Sequence, residues 1–231
     1  MITTSEYADM SARCKSVKLG ETVKGGFECR LFGYSHGWSD GFYGCTYARG
    51  DEIVVAFKGT GRTEDLGAHY GHEIDSDSST LQDLAADLKL AVGILPNQSS
   101  SAHLLYKRTV EAYGQKQFSV VGHSLGGYLA QVVSYWYKCP CVTFNAPGAW
   151  GDLQRSKLNV FAPQRMVRSV QASFGDNAPC TNFIHLGDPI GNYGLHRGVT
   201  HRLMGVRHAM AVIQDTIEQS KWKDINPFPK T

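Results

Sequence analysis

One serine stands in a context that could make its hydroxyl a nucleophile. Ser124 lies at the centre of residues 122–127, Gly-His-Ser-Leu-Gly-Gly, after a short apolar run and before an apolar helical pattern. A Gly-x-Ser-x-Gly sequence between a strand and a helix is typical of a nucleophile elbow, a tight turn that exposes the serine at strained backbone angles. Gly122 and Gly126 are expected there because a Cβ at either position would clash with the neighbouring strand or helix. The alternative is a glycine-rich turn with an incidental serine.

The carboxylate that would complete such a site is sought later in the chain. A serine hydroxyl becomes a good nucleophile when a base, usually a histidine oriented by a carboxylate, takes its proton. In a hydrolase built on an open sheet, the aspartate and then the histidine follow the serine. Asp188 is the preferred carboxylate because it follows a strand-like run and precedes Pro189, which ends the strand. Asp152 and Asp176 are weaker candidates, since neither follows a clear buried strand.

His208 is the preferred base among the four histidines that follow the serine. It lies just before the last amphipathic helix, after the short apolar stretch 203–206, in a loop that can reach back over the carboxyl edge of the sheet. His185 is not preferred, and His196 and His201 are interpreted as gating or surface residues. A lone histidine is usually structural, so this choice depends on Ser124.

Two backbone regions could stabilise the oxyanion that forms during acyl transfer. Leu125 follows the serine directly, so its backbone N–H is the first expected donor. Thr60 follows the buried apolar strand 53–57 and could supply the second donor through its N–H and its hydroxyl. Taken alone, the segment 59–61, Gly-Thr-Gly, is more often a plain loop.

The periodicity of apolar residues predicts strands that alternate with helices, and therefore a largely parallel sheet. Residues 42–48 and 52–58 are predicted to form a hairpin, and Ser5 is the predicted N-cap of the first helix. The other predicted elements are strands at 118–121, 141–145 and 182–186, an ambiguous strand at 167–172, and helices at 5–18, 81–92, 99–113, 128–137 and 209–218.

The stretch 61–80 is long and polar for a connector inside a compact domain, so it is predicted to be a lid or a substrate loop. Residues 75–79, Asp-Ser-Asp-Ser-Ser, are similar to the start of a calcium loop, but the sixth and twelfth positions lack the expected Gly and Glu. His69 and His72 have no helical pattern around them and are interpreted as solvent-exposed residues rather than zinc ligands. No metal or other cofactor is therefore expected.

The composition is that of an ordinary soluble globular protein. The chain has 231 residues, of which 42% are hydrophobic and 19% charged, so a single α/β domain spanning 1–231 is expected. The net charge of +2, with no basic block, argues against a nucleic-acid partner. The apolar runs are too short to cross a membrane.

The first residues predict where the protein resides. Residues 1–9 lack the basic and apolar regions of a secretory signal, which predicts a protein that is cytoplasmic as synthesised, unless a signal has been removed. Export by a route without a cleaved signal is left open. The six cysteines show no metal-binding spacing, and without a signal peptide they are predicted to be buried free thiols, although their even number leaves disulfides open.

In several short stretches the chain resembles the class 3 lipases, an α/β-hydrolase family that includes fungal triacylglycerol lipases and bacterial phospholipases A1. The matching stretches occur in the order of the family, at 54–60, 82–88, 120–127, 142–147, 187–190 and 208–210. The resemblance implies an α/β-hydrolase fold, with a mostly parallel central sheet flanked by helices. It also implies a catalytic triad of Ser124, Asp188 and His208, with Thr60 and Leu125 as the oxyanion hole.

The sequence departs from the family pattern at three places. Lys58 stands where the family commonly has arginine, and Asn145-Ala146 stands where it commonly has Gly-Ser. The stretch 61–80 is longer and more polar than a typical lipase lid, which argues against bulk triacylglycerol and leaves phospholipids or soluble esters open.

The expected activity is that of a serine ester hydrolase, a lipase or phospholipase A, which cleaves lipid acyl esters through an acyl-enzyme intermediate. Carboxylesterase activity on soluble esters, acyl transfer to an alcohol, and a non-catalytic binding module on the same fold are the alternatives. The expected partner is a lipid or small ester substrate, with transient contact to a membrane surface. An inhibitor or immunity protein is left open.

Overall fold

Five stretches of the chain are described by the computed structural model: residues 1–34, 42–58, 98–159, 163–175 and 178–228. Within them, eight strands form one sheet in which the spatial order follows the order of the sequence. The strands are β1 (Thr22–Val23), β2 (Phe27–Tyr34), β3 (Tyr43–Arg49), β4 (Glu52–Phe57), β5 (Gln117–His123), β6 (Cys141–Phe144), β7 (Cys180–His185) and β8 (Val199–Leu203).

The sheet is antiparallel from β1 to β4 and parallel from β4 to β8. The predicted hairpin is confirmed as β3 and β4, and the predicted mostly parallel sheet is confirmed by the four parallel pairs from β4 to β8. Because the parallel strands point the same way, their last residues share one edge of the sheet. We call this the carboxyl edge, formed by Phe57, His123, Phe144, His185 and Leu203. The amino edge is formed by their first residues, Glu52, Gln117, Cys141, Cys180 and Val199.

Helices cover both faces of the sheet. One face packs against helices around a core that includes Leu105, Leu129 and Leu153, and the other packs against helices that contribute Met10 and Ile213. This burial on both faces explains why the central strand β4 is apolar along nearly its whole length. The helices in the described stretches are α1 (Thr4–Arg13), α2 (98–113), α3 (Leu125–Tyr137), α4 (Trp150–Ser156), α5 (Pro163–Gln171) and α6 (Met210–Glu218).

Two local predictions are wrong. The ambiguous strand at 167–172 lies mostly within helix α5, in which Ser169 is buried. The next buried residue is Ala172, just past the helix end, and a separation of three residues is a helical spacing. The N-cap of α1 is Thr3 rather than Ser5. The Thr3 hydroxyl accepts from the Glu6 N–H, and the Glu6 carboxylate accepts from the Thr3 N–H at 2.7 Å, which is a complete capping box.

Three strands were not predicted, of which β1 has only two residues. Strand β2 carries charged residues such as Arg30, and β8 carries polar residues such as Thr200 and Arg202 on an outer strand of the sheet. Both are outside the buried parallel centre, so their sequences lack the continuous apolar run of a covered strand.

Several predictions concern residues outside the described stretches. These are the substrate loop at 61–80, the calcium-like residues 75–79, the helix at 81–92, and the residues Thr60, His69, His72 and Asp176.

The prediction of buried thiols is confirmed. All six cysteines are buried, and none forms a disulfide. They are Cys14, Cys29, Cys45, Cys139, Cys141 and Cys180. In the described residues, no helix has both the length and the apolar character needed to cross a membrane.

Candidate active site

Ser124 occupies a sharp turn between β5 and α3. Its backbone angles are φ 56° and ψ −131°, a left-handed conformation that costs energy for a residue with a Cβ. The turn is anchored because the Ser124 N–H donates to the carbonyl oxygen of Phe144 at 3.1 Å. The predicted elbow between a strand and a helix is therefore the observed geometry.

The glycines beside the serine are required by close approach of the backbone. A Cβ on Gly122 would lie 2.3 Å from the carbonyl carbon of Gly126. A Cβ on Gly126 would lie 2.0 Å from the carbonyl oxygen of Phe57, at the end of the neighbouring strand. Both distances are far inside van der Waals contact, so the helix can pack this closely only with glycine at these two positions.

Asp188 lies in the turn that follows β7 and is fully buried. Its Oδ1 accepts from the N–H of Ile190 at 3.0 Å, and its Oδ2 accepts from the N–H of Gly191 at 3.1 Å. Backbone donors of this kind stabilise a buried carboxylate and fix its orientation.

His208 joins the serine to the aspartate. Its Nδ1 lies 2.9 Å from Asp188 Oδ2, and its Nε2 lies 2.8 Å from Ser124 Oγ. A carboxylate only accepts hydrogen bonds, so Nδ1 carries the proton and Nε2 is left to accept from the serine hydroxyl. The three residues selected from the sequence are thus brought together in one hydrogen-bonded chain.

Leu125 is the first residue of α3 and is nearly buried. The first N–H groups of a helix have no acceptor within the helix, and the helix dipole places partial positive charge there. The Leu125 N–H is therefore positioned at an anion-stabilising helix end next to the serine. Thr60, the other residue predicted for this role, lies outside the described residues.

The remaining candidates have other partners. Asp152 accepts a hydrogen bond from the Tyr128 hydroxyl at 2.9 Å. His196 donates from Nε2 to the carbonyl oxygen of Ala146 at 2.9 Å, and the ring of His201 packs with its centroid 4.1 Å from that of Trp222. These residues are structural in the described part of the molecule.

A second histidine lies beside the base, and no sequence pattern indicated this contact. The ring of His123, the last residue of β5, has its centroid 4.8 Å from that of His208. Its Nε2 lies 2.7 Å from the carbonyl oxygen of His208 and donates to it. Burial, followed by the charge of His208, lowers the pKa of His123 to about 3. His123 is consequently neutral near pH 7 and adds no positive charge beside His208.

Two further polar residues at this edge were given no role in the predicted site. Asn145 directly follows β6 and His185 ends β7, and both are fully buried. The signal that could have found them is the one that selected Asp188, a polar residue at the carboxyl end of a parallel strand. Among the described residues, no group of three or more His, Cys, Asp or Glu side chains could hold a metal ion.

Comparison with curated proteins finds fungal relatives of a part of the chain. The chain is 48% identical over 76 residues to "Putative lipase ATG15" of Candida glabrata. It is 33% identical over 86 residues to the protein of the same name from Eremothecium gossypii. The matches cover 32% and 37% of this chain, and only 15% and 14% of those two proteins. The matched stretch thus spans about one seventh of the length of these relatives.

Solved structures share the fold over most of the chain. The Rhizomucor miehei lipase, in its propeptide complex, matches with a TM-score of 0.51 and 14% identity, over 87% of this chain and 67% of that chain. A triacylglycerol lipase from Penicillium expansum matches over 87% of this chain and 78% of that one, with 14% identity and a TM-score of 0.47. The first of these likenesses confirms the predicted α/β-hydrolase fold.

A family model identifies the chain more directly. The model described as the Tle-like phospholipase domain matches residues 29–172, which is more than half of the chain and includes the elbow at Ser124. The predicted resemblance to lipases is confirmed by this match. The chain belongs to the Tle-like phospholipase domain family.

Proposed function

We propose that the protein is a serine hydrolase that cleaves acyl esters of lipids. The observation that carries this proposal is the chain of hydrogen bonds from Ser124 Oγ to His208 Nε2 at 2.8 Å, and from His208 Nδ1 to Asp188 Oδ2 at 2.9 Å. A serine, a histidine and a buried carboxylate in this order can activate the hydroxyl for attack on an ester carbonyl.

The first half of the reaction would form an acyl-enzyme. His208 accepts the hydroxyl proton of Ser124 at Nε2 while Oγ attacks the carbonyl carbon of the ester. Asp188 stabilises the imidazolium that forms, because its carboxylate already accepts from Nδ1. The negative oxygen of the tetrahedral intermediate is stabilised by the N–H of Leu125, with Thr60 proposed as the second donor.

The second half would release the acid. The intermediate collapses as His208 donates its proton to the leaving alcohol, which leaves the acyl group on Ser124. Water then loses a proton to His208 Nε2 and attacks the acyl carbonyl, and the serine recovers its hydroxyl proton when the second intermediate collapses. No external cofactor is needed for these steps, because every proton passes through His208.

The family to which the chain belongs supports a lipid substrate. Its model is described as the Tle-like phospholipase domain, and the related fungal proteins carry the name "Putative lipase ATG15". We therefore propose phospholipids and related acyl esters as the substrate class, with one free fatty acid released for each ester bond cleaved.

The test compares the wild-type protein with Ser124→Ala on a mixed lipid extract, with products identified by mass spectrometry. We expect free fatty acids and lysolipids from the wild type, and a fall in turnover of about four orders of magnitude or more in the variant. A fluorophosphonate probe should label the wild type on Ser124. Wild-type turnover by Ser124→Ala at unchanged folding would overturn the proposal.

A further inference from the structure

We propose that Asn145 is a positioning residue that fixes the main chain of His208; this inference rests on the function proposed for Ser124 and His208. The side-chain Nδ2 of Asn145 lies 3.2 Å from the carbonyl oxygen of His208 and 3.1 Å from that of Arg207. An amide NH₂ group carries two hydrogens, so it can donate to both carbonyls at once. The base is thereby tied to the end of strand β6 through its own backbone.

The orientation of this amide is fixed from its other side. Asn145 Oδ1 accepts from the backbone N–H of His185 at 2.9 Å, and the backbone N–H of Asn145 donates to the carbonyl oxygen of Phe183 at 2.9 Å. A flipped amide would turn Nδ2 towards the His185 N–H, where two donors would face each other. The NH₂ group is therefore held towards the loop that carries His208.

That loop depends on side chains for its conformation. Residues 204–209, between β8 and α6, belong to neither a helix nor a strand. His123 donates to the carbonyl oxygen of His208 at 2.7 Å, and His185 Nδ1 donates to the carbonyl oxygen of Arg207 at 2.7 Å. Asn145 bonds to both of these carbonyls, so it links the two histidine contacts into one clamp at the carboxyl edge.

The residue type matches the local backbone and the contacts together. Asn145 has φ 43°, in the left-handed region that asparagine tolerates better than most residues. Glycine would adopt the same angle with ease but has no side-chain amide to donate. The substitution Asn145→Gly therefore removes the two hydrogen bonds that Asn145 donates to the clamp, without adding backbone strain.

Asn182 provides a matched control at some distance from the site. It is also fully buried, and its Nδ2 donates to the carbonyl of Arg197 in the loop before β8 at 2.8 Å and to that of Val199, the first residue of β8, at 3.1 Å. Its Oδ1 accepts from the Thr143 hydroxyl at 2.8 Å. Asn182→Gly thus removes the same kind of double donation, but from the loop that leads into β8.

The experiment measures kcat and KM on a water-soluble short-chain ester, with activity normalised to the folded fraction from thermal melts. Because a displacement of about 1 Å in the catalytic geometry can cost about 100-fold in rate, we expect Asn145→Gly to lower kcat about 10- to 100-fold. KM should change less than about threefold, and the rate of fluorophosphonate labelling should fall with kcat. Asn182→Gly should lower the melting temperature and leave the kcat of the folded protein within about twofold.

A double-mutant cycle separates positioning from a general structural effect. If Asn145 acts through the base, Asn145→Gly should leave the residual activity of His208→Ala unchanged. The same proportional loss in both backgrounds would overturn the inference, as would a wild-type kcat in Asn145→Gly. If Asn145→Gly does not fold, Asn145→Asp takes its place, since it keeps the shape and the Oδ1 acceptor but removes the donor.

The Ser124→Ala variant distinguishes failure of this inference from failure of the proposed function. When Ser124→Ala is inactive and Asn145→Gly is fully active, only the clamp is disproved. When Ser124→Ala turns over normally, the proposed function fails, whatever Asn145→Gly does.

Discussion

An asparagine side chain holds a loop near each edge of the sheet, and the two loops differ in the other contacts that support them. At the carboxyl edge, Asn145 donates to the carbonyls of Arg207 and His208. Towards the amino edge, Asn182 donates to those of Arg197 and Val199. The second loop passes at once into strand β8, where the backbone ladder with β7 takes over. The first continues as irregular chain up to α6, so its conformation depends more heavily on the side-chain bonds.

The two edges also differ in where their polar groups lie. The carboxyl edge contains buried polar groups such as Asp188 and a strained backbone at Ser124. The amino edge has exposed ion pairs, for example between Lys116 and Asp51, which is 71% exposed. Exposed pairs contribute little to stability, whereas buried and fully bonded polar groups fix one geometry. We therefore expect substitutions at the carboxyl edge to lower mainly activity. Substitutions at the amino edge should lower mainly stability or have no effect.

The largest expected difference in activity is between variants of two aspartates, one from each edge. Asp188→Asn should lower kcat by about four orders of magnitude, because an amide at this position no longer fixes the tautomer of His208 that accepts from the serine. Asp51→Asn should leave kcat unchanged and shift the free energy of unfolding by less than about 1 kcal/mol. Ester hydrolysis assays and urea unfolding of both variants make the measurement. Comparable activities for the two variants would contradict the assignment of Asp188.

The next largest expected difference is in stability, between variants of two glycines, one from each edge. In Gly126→Ala the new Cβ would lie 2.0 Å from the carbonyl oxygen of Phe57, so α3 must move away from the sheet. We expect a loss of about 3 kcal/mol or more in the free energy of unfolding, together with most of the activity. Gly50, in the turn before β4, has φ 58°, and a Cβ added there would have no atom beyond its immediate chain neighbours within 4 Å. Gly50→Ala should cost only about 1 kcal/mol, from backbone strain, and should not alter kcat.

Chemical unfolding of the two glycine variants checks this directly. A fully stable and active Gly126→Ala would show that the close contact between α3 and the end of β4 is not needed to hold Ser124. An activity loss in a folded Gly50→Ala would contradict the functional separation of the two edges.

The parts of the site that the sequence predicted are those determined by short-range pattern. The elbow could be recognised because two glycines flank Ser124 between an apolar strand and an apolar helix. Asp188 could be found because it closes a strand-like run. The central strands were found because burial on both faces leaves a continuous apolar sequence.

The parts that were missed depend on contacts between residues far apart in the chain. Asn145 meets carbonyls that follow it by more than 60 residues, and nothing near it in sequence indicates that loop. Strand β8 could not be recognised from apolar content, because as an outer strand it carries polar residues. The capping box of α1 is different, since Thr3 and Glu6 have the spacing that defines it and could have been identified directly.

The smallest expected effect is a pH dependence of the free energy of unfolding. Two histidines contribute to it, and only one of them, His123, also affects activity. Burial and the charge of His208 lower the pKa of His123 to about 3, and burial, with Arg168 and Lys107, lowers the pKa of His103 to about 4. His123 is at the carboxyl edge, whereas His103 contacts the hydroxyl of Tyr137, near the other end of α3. Both rings therefore stay neutral in the folded protein over much of the acidic range.

The sign of the effect follows from proton uptake. An unfolded histidine has a pKa near 6.5, so as the pH falls below this value the unfolded chain binds a proton that the folded protein does not. The free energy of unfolding should then decrease from about pH 6.5 down to the folded pKa, by at most about 1.4 kcal/mol per pH unit for each histidine. His123→Leu and His103→Leu should each make this decrease less steep, as measured by urea unfolding between pH 4 and 7.

Activity separates the two variants. His123→Leu removes a donor to the carbonyl oxygen of His208 and should lower kcat about tenfold, an effect of about 1.4 kcal/mol. His103→Leu changes a contact far from the serine and should leave kcat within about twofold. Equal losses of activity in the two variants, at equal folded fractions, would contradict the functional distinction between the two regions. His123 would then have only a structural role.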